Sequence, residues 1–240
     1  MIDIPSPFRG KPPSREAWVL RREFRLSPEQ WISRIPYPGL WLPELADLPE
    51  TTDGRRLIDR NTVFRVGRRA DDPLGAGRAL LASAVWGTGT AARGRARRLR
   101  VFEQPAEEVC IQLSAAIKTL RSEGAVAAYS YLHGNGGNII KYLGPSFGTK
   151  LLYFCGYDSS PCGHKPLILD KYVAAAINRL CSPAWPETDF SVSQYHLYIE
   201  LANAWANAWN TSPDVVERVL FSIGKASPLV VGALSGAACL

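Results

Sequence analysis

Apolar residues recur at three- and four-residue steps over much of the second half of the chain, which is the period of a helix that buries one face. After Pro105 the spacing Val109, Leu113, Ala116, Ile117, Leu120 predicts a helix that Gly124 stops. A second helix is expected over 125–132, closed by the turn HGNGGN. Asn138 then reads as the cap of a short segment, IIKYL; GPSFG reads as a tight hairpin and 149–157 as a buried helix. Beyond the loop SSPCGHKP, Asp170 stands as an N-cap before KYVAAAINRL. Residues 194–209 and 213–223 predict two more helices, the last with Asp214 in its first turn.

The first half is less regular. Residues 1–50 are dense in proline and carry Trp18, Trp31 and Trp41, which suggests an extended wrapping segment broken by short helices, one capped by Ser27 with Pro28 following. Between Asp59 and Trp86 the residues Val63, Phe64, Val66, Leu74, Leu80, Leu81 and Val85 suit helices joined by a DDPLGAG turn. The stretch GTGTAARGRARRLR reads as an exposed loop leading into a helix. Alternating β-branched runs are nearly absent, so the expected fold is all-α.

Composition adds a partner class. Of 240 residues, 46% are hydrophobic and 21% charged, enough for a sizeable core. Lys plus Arg number 28 against 22 Asp plus Glu, a net charge of +6, which favours a polyanion. The excess is concentrated: Arg93, Arg95, Arg97, Arg98 and Arg100 fall within eight residues, shortly after Arg65, Arg68 and Arg69. No run of 18 or more apolar residues is present, and 1–11 lacks the apolar stretch of a signal peptide, so neither membrane insertion nor export is expected and the chain is placed in the cytosol. Five cysteines without an export signal are expected to be reduced. Cys155, Cys162, His164 and Cys181 match no compact zinc or iron-sulphur spacing, and neither a metal nor a cofactor is expected.

The chemistry is concentrated between 138 and 170. Two short helices joined by a Gly-bearing hairpin present backbone N–H groups outward, a geometry that suits a DNA phosphate, and Gly144, Ser146, Gly148 and Thr149 are the candidates for that contact. Lys150 follows the hairpin directly, and Asp170 opens another helix twenty residues on. An amine attacks a sugar C1′ only when neutral, and a desolvated lysine loses its proton more readily than a solvated one. A carboxylate beside it stabilises positive charge on the sugar as the base departs.

These residues resemble the helix-hairpin-helix DNA glycosylases, and especially the 8-oxoguanine DNA glycosylases. The hairpin-plus-lysine signature is matched by PSFGTK and the later aspartate by LILDKYVAAAI, with Ser146 where the usual pattern has the first hairpin glycine. The resemblance implies two helical lobes with a cleft between them, an N-terminal lobe over 1–105 and a helix-hairpin-helix lobe over 106–240. It implies Lys150 as the Schiff-base lysine, with possible strand nicking, Asp170 as the catalytic aspartate, and a monomer acting on double-stranded DNA that holds a modified base. VERVLFS is similar to the helix lining the base pocket in that family, with Glu217 and Phe221 at the base-reading and base-stacking positions. A carboxylate only accepts hydrogen bonds, so Glu217 suits the N4 amine of a cytosine derivative or the N1 and N2 hydrogens of a guanine. Relatives in phage defence remove hypermodified cytosines such as glucosylated hydroxymethylcytosine; that substrate is ranked ahead of 8-oxoguanine.

Each feature has a plainer reading. Lys150 can be a solvated helix-start lysine, Asp170 a simple cap, Glu217 a surface charge and Phe221 a core aromatic. Arg93, Arg95, Arg97 and Arg98 read as phosphate contacts or as a solvated stretch. His133, His164 and His196 read as structural or exposed, and Trp205, Trp209, Tyr195 and Tyr198 as packing. From another class, the chain can be a non-catalytic helix-hairpin-helix module that holds DNA for a larger system.

Overall fold

A computed structural model describes residues 4–89, 91–134, 138–159 and 163–226. Cys162 and Cys239, the middle of the HGNGGN turn and part of the SSPCGHKP loop lie outside the described residues. The fold is helical: α1 (Pro28–Ile32), α2 (Pro43–Ala46), α3 (Arg60–Gly67), α4 (Pro73–Thr88), α5 (Ala92–Leu99), α6 (Ala106–Glu123), α7 (Ala125–His133), α8 (Pro145–Gly156), α9 (Lys171–Cys181), α10 (Val192–Trp209) and α11 (Pro213–Lys225). Two short strands, β1 (Phe24–Leu26) and β2 (Arg56–Ile58), pair antiparallel with Phe24 opposite Ile58. Among the described residues no helix is long and apolar enough to cross a membrane.

Side-chain caps set several helix starts. Asp59 accepts from Thr62 N, Asp72 from Gly75 N, and Asp170 from both Tyr172 N and Val173 N, while Ser191 and Gln194 form a capping box on α10. Helix α4 packs against α3, α5, α6 and α8; α9, α10 and α11 form a second group with α7. The packing of α4 on α6 and α8 crosses the line at 105/106, and one continuous apolar core runs from Phe8 to Ile223.

Four local expectations are corrected. GPSFG is no hairpin: Gly144 is the N-cap of α8, Pro145 its first residue, and Ser146 to Gly148 lie in its first turn. The chain reverses earlier, through Asn138 to Gly144, where Tyr142 takes a positive φ of 68° and IIKYL is not helical. DDPLGAG likewise enters α4 at Pro73, and the arginine-rich stretch, expected as a loop leading into a helix, is already helical from Ala92 as α5. In both glycine-bearing segments the glycine serves close approach within a helix. A Cβ on Gly77 would press on Cys110 Sγ and Leu40, and one on Gly148 would run into the His133 imidazole at Nε2. Since Gly148 is buried, Gly148→Ala is expected to lower stability by about 1–3 kcal/mol through overpacking, read as a shift in the urea midpoint at constant slope.

The segment before α9 is extended and fully buried at Leu167, Ile168 and Leu169, so its backbone needs partners. Thr149 Oγ1 accepts from Leu169 N at 3.1 Å and donates to Leu169 O at 3.3 Å; Tyr198 donates its hydroxyl to Ile168 O at 3.0 Å, and Tyr195 to Leu167 O at 3.3 Å. These side chains pin the segment against α8, which brings the start of α9 beside the second turn of α8.

Candidate active site

At that junction Lys150 Nζ lies 3.7 Å from Asp170 Oδ2. The two residues come from α8 and from the cap of α9, and both are buried. Asp170 is oriented by its own cap: Oδ1 takes the backbone N–H groups of Tyr172 at 3.0 Å and Val173 at 3.2 Å, which leaves Oδ2 toward the lysine. At 3.7 Å this is an electrostatic contact and not a hydrogen bond. Nζ donates instead to Ser146 O and to Ser146 Oγ, each at 3.1 Å. Ser146, where the resemblance expects glycine, therefore supplies both of the amine's hydrogen-bond acceptors. A neutral amine has two N–H bonds, enough for both, and keeps a lone pair. Burial pushes the Lys150 amine below its ordinary value; Asp170 and Glu217 oppose that shift, and Arg98 and Arg60 add to it.

Lys150 and Asp170 line a cavity of about 620 Å³, a volume ordinary for a small-molecule pocket. Helices α4, α5, α8, α9 and α11 and strand β1 contribute to its walls. Glu217 and Phe221 both line it, from one face of α11. Phe221 is half-buried and meets Tyr172 edge-on at 5.2 Å, while the Arg218 guanidinium lies 5.2 Å from its ring centre.

Glu217 is not a surface charge. It is 1% exposed, and its Oε2 accepts from Arg60 Nη1 at 2.8 Å. Arg60, the first residue of α3, lies between the rings of Trp86 at 5.0 Å and Tyr153 at 5.1 Å. It also donates to the Tyr153 hydroxyl at 3.0 Å. Tyr153 in turn donates to Asp214 Oδ2 at 3.0 Å, and that same oxygen takes Arg15 Nε at 2.7 Å. A buried chain of charged and polar groups thus ties the cavity floor to the N-terminal segment. Burial pushes Glu217 up from its ordinary value, and Arg60 pulls it back down. Burial likewise acts to lower Arg60, but Glu217 and Tyr153 together outweigh it and the guanidinium is held cationic. Sequence reasoning missed Arg60, Tyr153 and Arg15, because nothing local marks a contact between residues 157 positions apart.

The expected phosphate-binding residues divide. Gly144 and Ser146 line the cavity, but Gly148 and Thr149 are buried, Gly148 against His133 and Thr149 in the bonds to Leu169. Neither presents itself to a ligand, and that part of the assignment is withdrawn. Arg93 and Arg97 are exposed, and Arg97 and Arg98 line the cavity. Arg95 is 5% exposed, which removes it from any outward stripe. Among the described residues no group of three or more His, Cys, Asp or Glu is placed to hold a metal, and Cys110 and Cys155 are buried.

Residues 17–221 match the model of the family described as "Putative 8-oxoguanine DNA glycosylase OGG-like protein". The match takes in Lys150, Asp170 and Glu217 and ends on Phe221. No curated protein and no solved structure matches the chain. The family model covers most of the sequence, and a helical fold with a buried amine and carboxylate in one cavity accords with it: the chain belongs to the 8-oxoguanine DNA glycosylase OGG-like family.

Proposed function

We propose that the chain excises an oxidised guanine from double-stranded DNA, with Lys150 as nucleophile and Asp170 as the carboxylate that steadies the sugar. The observation that carries this reading is the buried Lys150 amine 3.7 Å from Asp170 Oδ2 in a cavity large enough for an extruded nucleotide. In the reacting complex the neutral nitrogen bonds to C1′ as the C1′–N bond breaks, and the electron pair leaves with the base. The proton shed by the lysine nitrogen is passed to the departing base. Ring opening of the sugar then gives an imine on Lys150, from which strand nicking by β-elimination can follow.

Guanine is favoured over a hypermodified cytosine because the family description names 8-oxoguanine. Glu217, with its Oε2 bonded to Arg60, offers an acceptor to a donor on either base and does not by itself separate them. The test presents duplexes with 8-oxoguanine or glucosylated hydroxymethylcytosine and identifies the freed base by mass spectrometry. Release of 8-oxoguanine is expected. Release of the cytosine alone overturns the substrate reading, and release of neither overturns the glycosylase reading.

DNA binding carries its own expectation. Arg93 and Arg97 are exposed cations on α5, so replacing both with methionine should lower the slope of log affinity against log salt by about two units. Arg95→Met should leave the slope unchanged because Arg95 is buried. Fluorescence anisotropy on undamaged duplex across a salt series reads both.

A further inference from the structure

Arg98 differs from the other arginines of its helix. Its guanidinium carbon lies 3.7 Å from the centre of the Phe147 ring, a contact that fixes the plane of the fork. The same ring stands 4.9 Å from Lys150 Nζ, so one aromatic side chain carries both cations. Arg98 is half-buried and lines the cavity, and its Nε is enclosed with no hydrogen-bond partner among the described residues. No described carboxylate pairs with it; burial and the neighbouring Arg97 pull it down to about 10, which still leaves it charged at neutral pH. A half-buried, oriented cation without a counter-charge costs stability when the cavity is empty, and a phosphate oxygen is the partner that offsets the cost. A nucleotide with C1′ at Lys150 brings such an oxygen to this place, because its own phosphates are only a few bonds from C1′.

We propose that Arg98, laid on Phe147, receives the phosphodiester directly flanking the extruded nucleotide and so positions C1′ against Lys150. The inference rests on the glycosylase reading for the identity of the extruded nucleotide. It makes Arg98 a positioning residue, distinct from Arg93, which is exposed on α5 and does not line the cavity.

The test uses the full chain and a duplex carrying a tetrahydrofuran abasic analogue, which has no base to release, so that binding is read independently of excision. One linkage at a time, 5′ or 3′ to the analogue, is made a neutral methylphosphonate, with a linkage several nucleotides away as control. The wild-type chain is expected to lose about ten- to hundredfold in affinity at one flanking linkage, the size of one charge-assisted contact. Arg98→Met should lose a similar factor on the all-phosphate duplex and be indifferent to that methylphosphonate. Arg98→Lys should recover part of the affinity, since it keeps the charge and loses the fork. Unchanged affinity for undamaged duplex in Arg98→Met separates a lost contact from a lost fold. Additive losses from variant and methylphosphonate at both flanking linkages overturn the proposal, as does equal affinity of the wild-type chain for analogue and undamaged duplexes. If excision of 8-oxoguanine fails while the coupling is found, the chemistry assigned to Lys150 is wrong and the phosphate site stands.

Discussion

Replacing Lys150 with glutamine is expected to lower single-turnover release of 8-oxoguanine by about a thousandfold or more, with little change in affinity for the duplex. Glutamine is close in length and can still donate to Ser146 O and Oγ, the two acceptors that hold the amine, so the cavity keeps its shape. What is lost is the nucleophilic nitrogen. Asp170→Asn should keep the cap on α9, because the amide oxygen can still take Tyr172 N and Val173 N, and should lower release by about a hundredfold through loss of charge beside the sugar. The pH dependence follows from the same site. Burial lowers the Lys150 amine, so the rate should rise with pH as the amine deprotonates and level off below the ordinary lysine value. A rate that keeps rising through the ordinary lysine range would mean that the reacting amine is not this buried one.

The second large effect is on stability. Arg60→Met removes the counter-charge of Glu217, which is 1% exposed, and leaves a carboxylate with nowhere to be solvated. Breaking such a pair from one side is expected to cost about 3–5 kcal/mol, seen as a lower urea midpoint. Removing both partners, as in Arg60→Met with Glu217→Leu, should cost much less, because no charge is then stranded. Equal destabilisation by the single and double variants would show that Arg60 acts through packing on Trp86 and Tyr153 and not through charge. The double variant should fold and yet fail to distinguish bases, which separates the structural role of the pair from its place on the cavity floor.

The parts of the fold that were legible in the sequence are those set by local rules. The helix after Pro105, its stop at Gly124 and the two final helices follow from periodicity and from the proline and glycine punctuation at their ends, and the start of α9 from the Asp170 side chain that caps it. Lys150 and Asp170 could be paired because PSFGTK and LILDKYVAAAI together resemble the lysine and aspartate motifs of one family; Asp170 does open a helix, whereas Lys150 lies in the second turn of α8. The errors share one cause. In GPSFG and DDPLGAG, glycine after proline reads as a turn, but proline is favoured at the first helical position, and the glycines are there to let another element approach: His133 at Gly148, Cys110 and Leu40 at Gly77. The arginine run hid a helix for a related reason. Arginine can bury its stem, and Arg95 does so one turn before Leu99, so α5 has an inward face with few apolar letters. The pairing of Arg60 with Glu217 is a product of packing between α3, α8 and α11, which no local pattern encodes.

The central claim is that Lys150 Nζ bonds to the sugar. Borohydride added during turnover of an 8-oxoguanine duplex reduces an imine to a stable amine, and proteolysis followed by mass spectrometry locates the attached sugar. The account predicts a covalent adduct on the peptide that carries Lys150, formed in step with base release and missing from Lys150→Gln. Base release without an adduct, or an adduct on another lysine such as the nearby Lys171, would contradict it.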